Sequence, residues 1–308
     1  MILTLPEQHA REKLCLPLDN LDNLAALRLR VDELKDYVGV FKIGKGSFTR
    51  FGPDVVRYVR EYGVEVFLDL KFHDIPETVK DASKAAAQTG AYMFNVHAAG
   101  GLAMMQAALK GAKDGTRPGY ERPKVIAVTI LTSLDFAKYI HTHLGLIEGL
   151  AHLTGEKSRY HQFVGWAKKF DFATLIREEK EKTDEYKRLK SDWERVQEEY
   201  ELQKLIPTCV GHLAQLTYQA GLDGIVCSAE DIKDIREHLP ANFMYVTPGI
   251  QGVNTSAGAD QARVASPYGA FKEGSSLLVV GRAITAPPTA QERQHAAHLI
   301  LQDMVRGF

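Results

Sequence analysis

The stretch Phe67-Leu68-Asp69-Leu70-Lys71-Phe72-His73-Asp74-Ile75-Pro76 joins a buried strand to a helix and indicates the class of fold. Residues 64–70 are mostly apolar on consecutive positions, which is typical of a parallel strand covered on both faces. Pro76 suits the first turn of a helix, where its missing N–H removes no hydrogen bond. The stretch therefore predicts one β-then-α unit, with Asp69 and Lys71 near the end of its strand.

The same strand-then-helix order recurs along the chain. Seven further apolar runs lie at 14–18, 40–43, 92–96, 125–131, 224–227, 244–246 and 277–280, with amphipathic helical patterns between them. Eight such units predict an α/β fold, a closed (β/α)8 TIM barrel. The alternative, an open doubly wound sheet, needs a glycine-rich GxGxxG turn after the first strand, and Leu16-Pro17-Leu18-Asp19-Asn20 does not provide one.

A long segment separates the fifth and sixth strands. We predict that 1–145 and 207–308 form one barrel domain and that 146–206 is a charged helical insertion. Residues 177–204 lack Gly and Pro and predict a long helix, about 40 Å if it is unbroken. Its apolar residues recur every three or four positions, which predicts one narrow stripe packed on a helix near 159–176. The stripe consists of Tyr186, Leu189, Trp193, Val196 and Tyr200. We interpret the insertion as a family-specific decoration; the alternative is a dimer or partner contact, anchored by an exposed Trp193 and Tyr200.

Composition limits the classes of partner. The 308 residues are 45% hydrophobic and carry a net charge of −1, which gives no electrostatic basis for binding nucleic acid or an anionic membrane. Cys15, Cys209 and Cys227 form no CxxC pair and are interpreted as thiols of a reducing compartment. Neither a signal peptide nor a membrane-spanning run is recognisable, so we expect a cytoplasmic protein.

Charged residues follow the first three predicted strands. Asp19 ends the first strand, Lys42 the second, and Asp69 and Lys71 the third, with Asp74 on the turn beyond. Asp69 and Lys71 are two residues apart, so both side chains leave the strand on one face. A lone Asp–Lys pair is more often a structural ion pair, but the carboxyl ends of barrel strands are where such enzymes place their reacting groups. The placement of these charged residues at the strand ends therefore favours a catalytic role for them.

Two features near the carboxyl terminus suit a phosphate group. Gly281 and Arg282 follow the eighth strand, at a position that commonly binds phosphate in this fold. Thr247-Pro248-Gly249-Ile250 opens a loop rich in Gly, Ser and Asn that runs to Gln261 and is a candidate lid. The alternative is an ordinary surface turn with Arg282 in solvent.

In combination, these motifs resemble the orotidine 5′-monophosphate decarboxylase family. The resemblance covers 12–145 and 207–290, and its motifs are Leu18-Asp19, Phe41-Lys42-Ile43-Gly44-Lys45, FLDLKFHDIP at 67–76, Asn95-Val96-His97-Ala98, VTILTS at 128–133, GLDGIVCS at 221–228, TPGI at 247–250 and VVGR at 279–282. Gln251 departs from the pattern, since similar bacterial members usually carry Arg there.

The resemblance implies a shared site in a homodimer. Lys42, Asp69 and Lys71 would form a charged array, with Asp74 and Thr78 reaching the site of the other subunit. Asp19 would bind ribose hydroxyls and Thr132 the pyrimidine. Gln261, Gly281 and Arg282 would hold the phosphate of orotidine 5′-monophosphate or of the product UMP.

The expected chemistry is electrostatic. Loss of CO₂ from C6 of a pyrimidine leaves a localised carbanion, so a fixed positive charge is needed there, and Lys71 can supply it and then donate a proton. We expect no cofactor and no metal, because His73, His97, His141 and His143 have no carboxylate at ligand spacing. Two alternatives stay open: a Mg²⁺-dependent sugar-phosphate decarboxylase or aldolase of the same superfamily, and a non-catalytic barrel that binds partners through the insertion.

Overall fold

The strands close into a barrel. The computed structural model describes residues 3–132, 136–154, 159–177, 183–200, 204–252 and 264–308. Its strands are β1 (Leu14–Pro17), β2 (Val40–Gly44), β3 (Glu65–Phe72), β4 (Met93–His97), β5 (Lys124–Val128), β6 (Gly224–Val226), β7 (Met244–Thr247) and β8 (Leu277–Val279). All neighbours are parallel, and β8 pairs with β1. The predicted (β/α)8 barrel is confirmed, and each strand overlaps its predicted apolar run.

Helices connect the strands. They are α1 (Leu5–Glu12), α2 (Leu24–Leu34), α3 (Lys45–Phe51), α4 (Asp54–Arg60), α5 (Pro76–Gln88), α6 (Gly101–Gly115), α7 (Phe136–Thr154), α8 (Arg159–Ala167), α9 (Phe172–Arg177), α10 (Asp184–Glu199), α11 (Leu205–Gln219), α12 (Ala229–Ile235), α13 (Pro267–Glu273), α14 (Arg282–Thr285) and α15 (Ala290–Val305). Pro76 occupies the first turn of α5, as predicted. Within the described ranges, no helix is long and apolar enough to cross a membrane.

The barrel interior is built in layers. Its lower layer is an apolar cluster to which seven strands each contribute one side chain: Cys15, Val40, Phe67, Met93, Ile126, Val246 and Leu277. Because side chains two residues apart share a face, Lys42, Asp69 and Asn95 follow in the next layer towards the carboxyl ends of the strands. A polar layer therefore lies directly on an apolar one.

The chain divides into two compact units, Met1–Thr132 with Val210–Phe308, and Ser133–Cys209. The predicted insertion, 146–206, lies inside the second unit. Ala137 and Ile140 of α7, which precede the predicted insertion, are also buried in the apolar core of this unit.

The helix predicted over 177–204 is not continuous. Helix α9 ends at Arg177, and a new helix, α10, begins at Asp184 with Thr183 as its cap. The Thr183 hydroxyl accepts the backbone N–H of Tyr186 at 3.1 Å, which satisfies one of the open donors at the start of a helix. With 16 residues, α10 is about 24 Å long.

The apolar stripe on α10 is confirmed, but the expected exposure of Trp193 is wrong. Trp193 is 5% exposed. Its ring stacks on Trp166 with centroids 5.8 Å apart and meets the edge of Phe172 at 5.2 Å. Tyr200 is partly buried against Phe163. These aromatic residues form the core of the second unit, so Trp193 is not an anchor for a partner.

Candidate active site

Asp69 is the centre of a buried charged array at the carboxyl ends of β2, β3 and β4. Its Oδ1 accepts hydrogen bonds from Lys71 Nζ and, at 2.7 Å, from Asn95 Nδ2. Its Oδ2 lies 3.0 Å from Lys42 Nζ. The Asp69 side chain is 12% exposed and that of Lys42 is 11% exposed, so the ion pairs are largely shielded from water. The structure thus brings together three of the four predicted catalytic residues.

Asp19 extends the array. Its Oδ2 lies 3.4 Å from Lys42 Nζ, while about half of its side chain is accessible to solvent. The loop that carries Asp19 is held by Ser47, whose hydroxyl donates to Leu18 O at 2.6 Å. Gly44 leaves room for the Asp19 carboxylate, because a Cβ at position 44 would lie 2.7 Å from Asp19 Oδ1. The order of charges is therefore Asp19, Lys42, Asp69, Lys71.

The backbone at Lys71 is unusual. Its φ is +51°, in the left-handed region that residues other than glycine seldom adopt. Pairing of β3 with β4 is interrupted between Leu68 and Phe72, and the N–H of Lys71 donates instead to Asn95 Oδ1 at 2.8 Å. Side-chain alternation alone does not place Lys71 beside Asp69; this distortion of the strand also contributes.

The charges shift the pKa values of the array. Burial alone would raise the pKa of Asp69, but the charges of Lys42 and Lys71 and the hydrogen bonds from Lys71 and Asn95 outweigh burial and lower it to about 2. Burial opposes the charge of Lys42, yet Asp69 and Asp19 raise its pKa overall. Both groups are therefore ionised at neutral pH.

Two histidines border the array. The rings of His97, at the end of β4, and His73 have centroids 5.4 Å apart. Burial, followed by the charges of His73, Lys71 and Lys45, lowers the pKa of His97 to about 4. His97 is thus neutral at pH 7. In the described part of the chain, no group of three or more His, Cys, Asp or Glu side chains is placed to hold a metal ion.

Asp74 and Thr78 face solvent. Asp74 lies on the turn between β3 and α5, and its Oδ1 accepts the N–H of Ile75 at 2.7 Å. Thr78 is exposed in the first turn of α5. Among the described residues, neither side chain has a hydrogen bond or ion pair with Lys71. A single chain therefore does not bring these two predicted residues into the array.

The predicted phosphate-binding residues lie at other strand ends. Gly281 precedes α14, and Arg282 is its exposed first residue. Thr132 lies in a turn after β5 and is half-buried. At the base of the candidate lid, Gln251 N–H donates to Ala265 O at 2.9 Å, so the two ends of that loop are paired. Gln261 lies outside the described residues.

Asn95 is the residue to which we assigned no role from the sequence. It is 1% exposed and is bonded both to the Asp69 carboxylate and to the Lys71 backbone. A polar amide on the buried strand Met93-Phe94-Asn95-Val96-His97 was the available signal, since buried polar side chains need partners.

A closed barrel with a buried array of lysines and carboxylates at the carboxyl ends of its strands defines an α/β-barrel enzyme. The model of the orotidine 5′-phosphate decarboxylase / HUMPS family matches residues 12–191 and 189–297. The chain therefore belongs to this family, as the sequence motifs led us to expect.

Relatives over nearly the whole chain carry one activity in their names. Orotidine 5′-phosphate decarboxylase from Moorella thermoacetica is 38% identical over 91% of this chain and 88% of its own length. The enzyme of the same name from Syntrophus aciditrophicus is 34% identical over 100% and 99%. The crystal structure of orotidine 5′-phosphate decarboxylase from Lactobacillus acidophilus is similar with a TM-score of 0.63, 28% identity and coverage of 94% and 98%.

Proposed function

We propose that the array around Asp69 decarboxylates orotidine 5′-monophosphate to UMP. The chain is a decarboxylase of pyrimidine biosynthesis by its family and its relatives. The observation that supports this site for the reaction is the pair of ammonium groups of Lys42 and Lys71 held on the two oxygens of one buried carboxylate. Such an array offers fixed positive charge without reorganisation of solvent.

The mechanism uses Lys71 twice. Departure of CO₂ from C6 breaks the carbon–carbon bond and leaves its electron pair on C6, where no ring carbonyl delocalises it. The ammonium group of Lys71 stabilises this charge, and then donates a proton to C6 to give UMP. Asp69 keeps Lys71 protonated and oriented, since a carboxylate in contact favours the charged form of an amine.

Contacts far from C6 organise the site. We assign the ribose hydroxyls to Asp19, the pyrimidine to Thr132, and the phosphate to Gly281, Arg282 and Gln261. The glycine lets backbone N–H groups approach, and the guanidinium can bind two phosphate oxygens. Binding energy from the phosphate would close the loop after β7 and so contribute to the reaction at C6.

We place the active form as a homodimer with shared sites in the cytoplasm. Asp74 and Thr78 are exposed and outside their own chain's array, as residues that serve a partner's site should be. The three cysteines are thiols, which agrees with a reducing compartment.

Mixed dimers test the sharing. When Lys71→Ala and Asp74→Ala chains are mixed under exchange, one of the two sites in a mixed dimer keeps both wild-type residues. Activity should recover to about a quarter of wild type if subunits assort randomly. Absence of recovery, with exchange shown by a tag on one chain, would mean that Asp74 acts within its own chain.

The Mg²⁺-dependent alternative of the same superfamily is less well supported. Both oxygens of Asp69 contact ammonium groups, and Lys42 stands at the end of β2, where an acidic metal ligand would be needed. Release of CO₂ from orotidine 5′-monophosphate should therefore be the same with and without excess chelator. Loss of activity in chelator, restored by Mg²⁺, would assign the protein to the metal-dependent branch.

A further inference from the structure

The conformation of Lys71 requires a local cause. Its left-handed backbone is unfavourable for a residue with a Cβ and persists only where the surroundings fix it. The strand pairing that would normally bind this segment is absent, because the register of β3 and β4 shifts between Leu68 and Phe72. An interaction from outside the ladder must therefore hold the segment.

The Asn95 amide supplies that interaction at both of its ends. Its oxygen accepts the Lys71 N–H at 2.8 Å, and its nitrogen donates to Asp69 Oδ1 at 2.7 Å. Lys71 Nζ contacts the same Asp69 oxygen. The Lys71 backbone, the Lys71 side chain and the Asp69 carboxylate thus form a closed loop of hydrogen bonds through Asn95, which is 1% exposed.

We propose that Asn95 is the positioning residue of the array, fixing the distorted backbone of Lys71 and the orientation of Asp69 so that the Lys71 ammonium is directed at the reacting carbon. This inference rests on the proposed function. Asn95 acts through Lys71 and Asp69 and needs no contact with substrate. Its loss should therefore affect the chemical step far more than the binding of a ligand that has no departing carboxylate.

The first test is Asn95→Leu, which has a similar size and no polar atoms. We expect kcat to fall about tenfold or more, because a small misplacement of a catalytic group is costly, while inhibition by UMP changes less than about threefold. Thr217→Val is the matched control. Thr217 is also fully buried, and its hydroxyl is bonded to Leu213 O at 2.7 Å and to Met105 Sδ at 3.6 Å, so that variant should keep wild-type kcat.

The Asn95→Asp variant distinguishes a positioning role of Asn95 from a contribution to overall stability. The new carboxyl group can still accept the Lys71 N–H, but it faces the carboxylate of Asp69 in place of a donor. Two carboxyl groups at this distance share one proton, and the second ionisation has a raised pKa. Below that pKa the shared proton restores a hydrogen bond between positions 95 and 69; above it, two negative charges repel.

Among the described residues, the charges that act on Asp69, the hydrogen-bond partner of position 95, are those of Lys71 on β3 and Lys42 on β2. His97, two residues further along β4, is neutral at pH 7, and the paired position on β5 is the apolar Ile126. The two lysines moderate the repulsion but do not supply the missing proton. We therefore expect the kcat of Asn95→Asp, divided by that of wild type at the same pH, to rise as the pH falls. Asn95→Leu should show a constant ratio.

Exchange of the Lys71 backbone amide with deuterium tests the inference without an activity measurement. We expect exchange to be about tenfold faster in Asn95→Leu, and close to wild type in Asn95→Asp and Thr217→Val. Wild-type kcat or unchanged Lys71 exchange in a folded Asn95→Leu variant would overturn the proposal. So would a pH-independent ratio for Asn95→Asp, which decides the matter if Asn95→Leu does not fold. A wild-type protein that releases no CO₂ would instead refute the proposed function.

Discussion

Replacing Asp69 by asparagine keeps the shape of the side chain and removes its charge. In the wild-type protein, the two oxygens of Asp69 accept from three donors, namely Lys71 and Asn95 on one oxygen and Lys42 on the other. An amide has one acceptor oxygen and one donor nitrogen. At least one buried lysine therefore loses its acceptor and faces an N–H group in the variant.

The size of the effect follows from the array. The fall in the pKa of Asp69 from 3.8 to about 2 corresponds to about 2 kcal/mol of stability at neutral pH. A buried donor without an acceptor costs about 1–3 kcal/mol more. The sum, about 3–5 kcal/mol, is the usual cost of removing one partner of a buried ion pair. At about 2 °C per kcal/mol for a domain of this size, Tm should fall by about 6–10 °C.

Thermal unfolding at pH 7 in phosphate-free buffer measures this change, with Glu61→Gln as the control. Glu61 also lies between two cations, Arg28 at 3.5 Å and Arg57 at 3.3 Å, but on the surface, where such pairs contribute little. The pKa of Asp69 is lowered in the folded state, so its stabilisation is complete well above pH 3.8 and is lost as the pH falls through about 2. A Tm within about 1 °C of wild type for Asp69→Asn would refute this account of the array.

Two further outcomes are expected. Gly44→Ala should raise KM with little loss of Tm, because the new Cβ displaces the flexible carboxylate of Asp19 and not backbone; an unchanged KM would remove Asp19 from substrate binding. A Gly/Ser linker in place of 133–206 should leave a folded enzyme that still releases CO₂. Replacement of 150–204 alone should give a less soluble chain, because α7 would keep apolar residues of the lost core. Loss of turnover by several orders of magnitude in a folded 133–206 variant would make that unit part of the active site.

Sequence patterns were sufficient for the barrel and for the four charged residues of the array, but not for Asn95 or the backbone at Lys71. Continuous apolar runs locate the strands in the sequence, because both faces of a parallel strand are covered. The pairing register between strands need not be known for this. The pairing of Lys42 with Asp69 follows from neighbouring strand ends. The bulge at Lys71 could not be predicted, since it depends on a hydrogen bond from Asn95 on another strand, and no local pattern encodes that contact.

The segment between β5 and β6 shows a different limit of prediction from sequence. Residues 177–204 are mostly good helix formers without Gly or Pro, so helix propensity alone does not locate the break before α10. The signal was Thr183 followed by two acidic residues, a common start of a helix, which the long charged run obscured. The burial of Trp193 depends on Trp166 and Phe172, which are distant in sequence, and periodicity does not predict such partners.

The apolar layer beneath the array determines how solvent reaches the lysines. Each of its seven side chains is at most 3% exposed, so water does not enter from the amino-terminal end of the barrel. In the proposed mechanism, the proton that Lys71 transfers to carbon would therefore be replaced from the carboxyl-terminal end of the barrel, where the array lies. If this mechanism holds, we expect Lys71 to regain its proton after the nucleotide leaves, and in heavy water the deuterium delivered to C6 would enter by that route between turnovers.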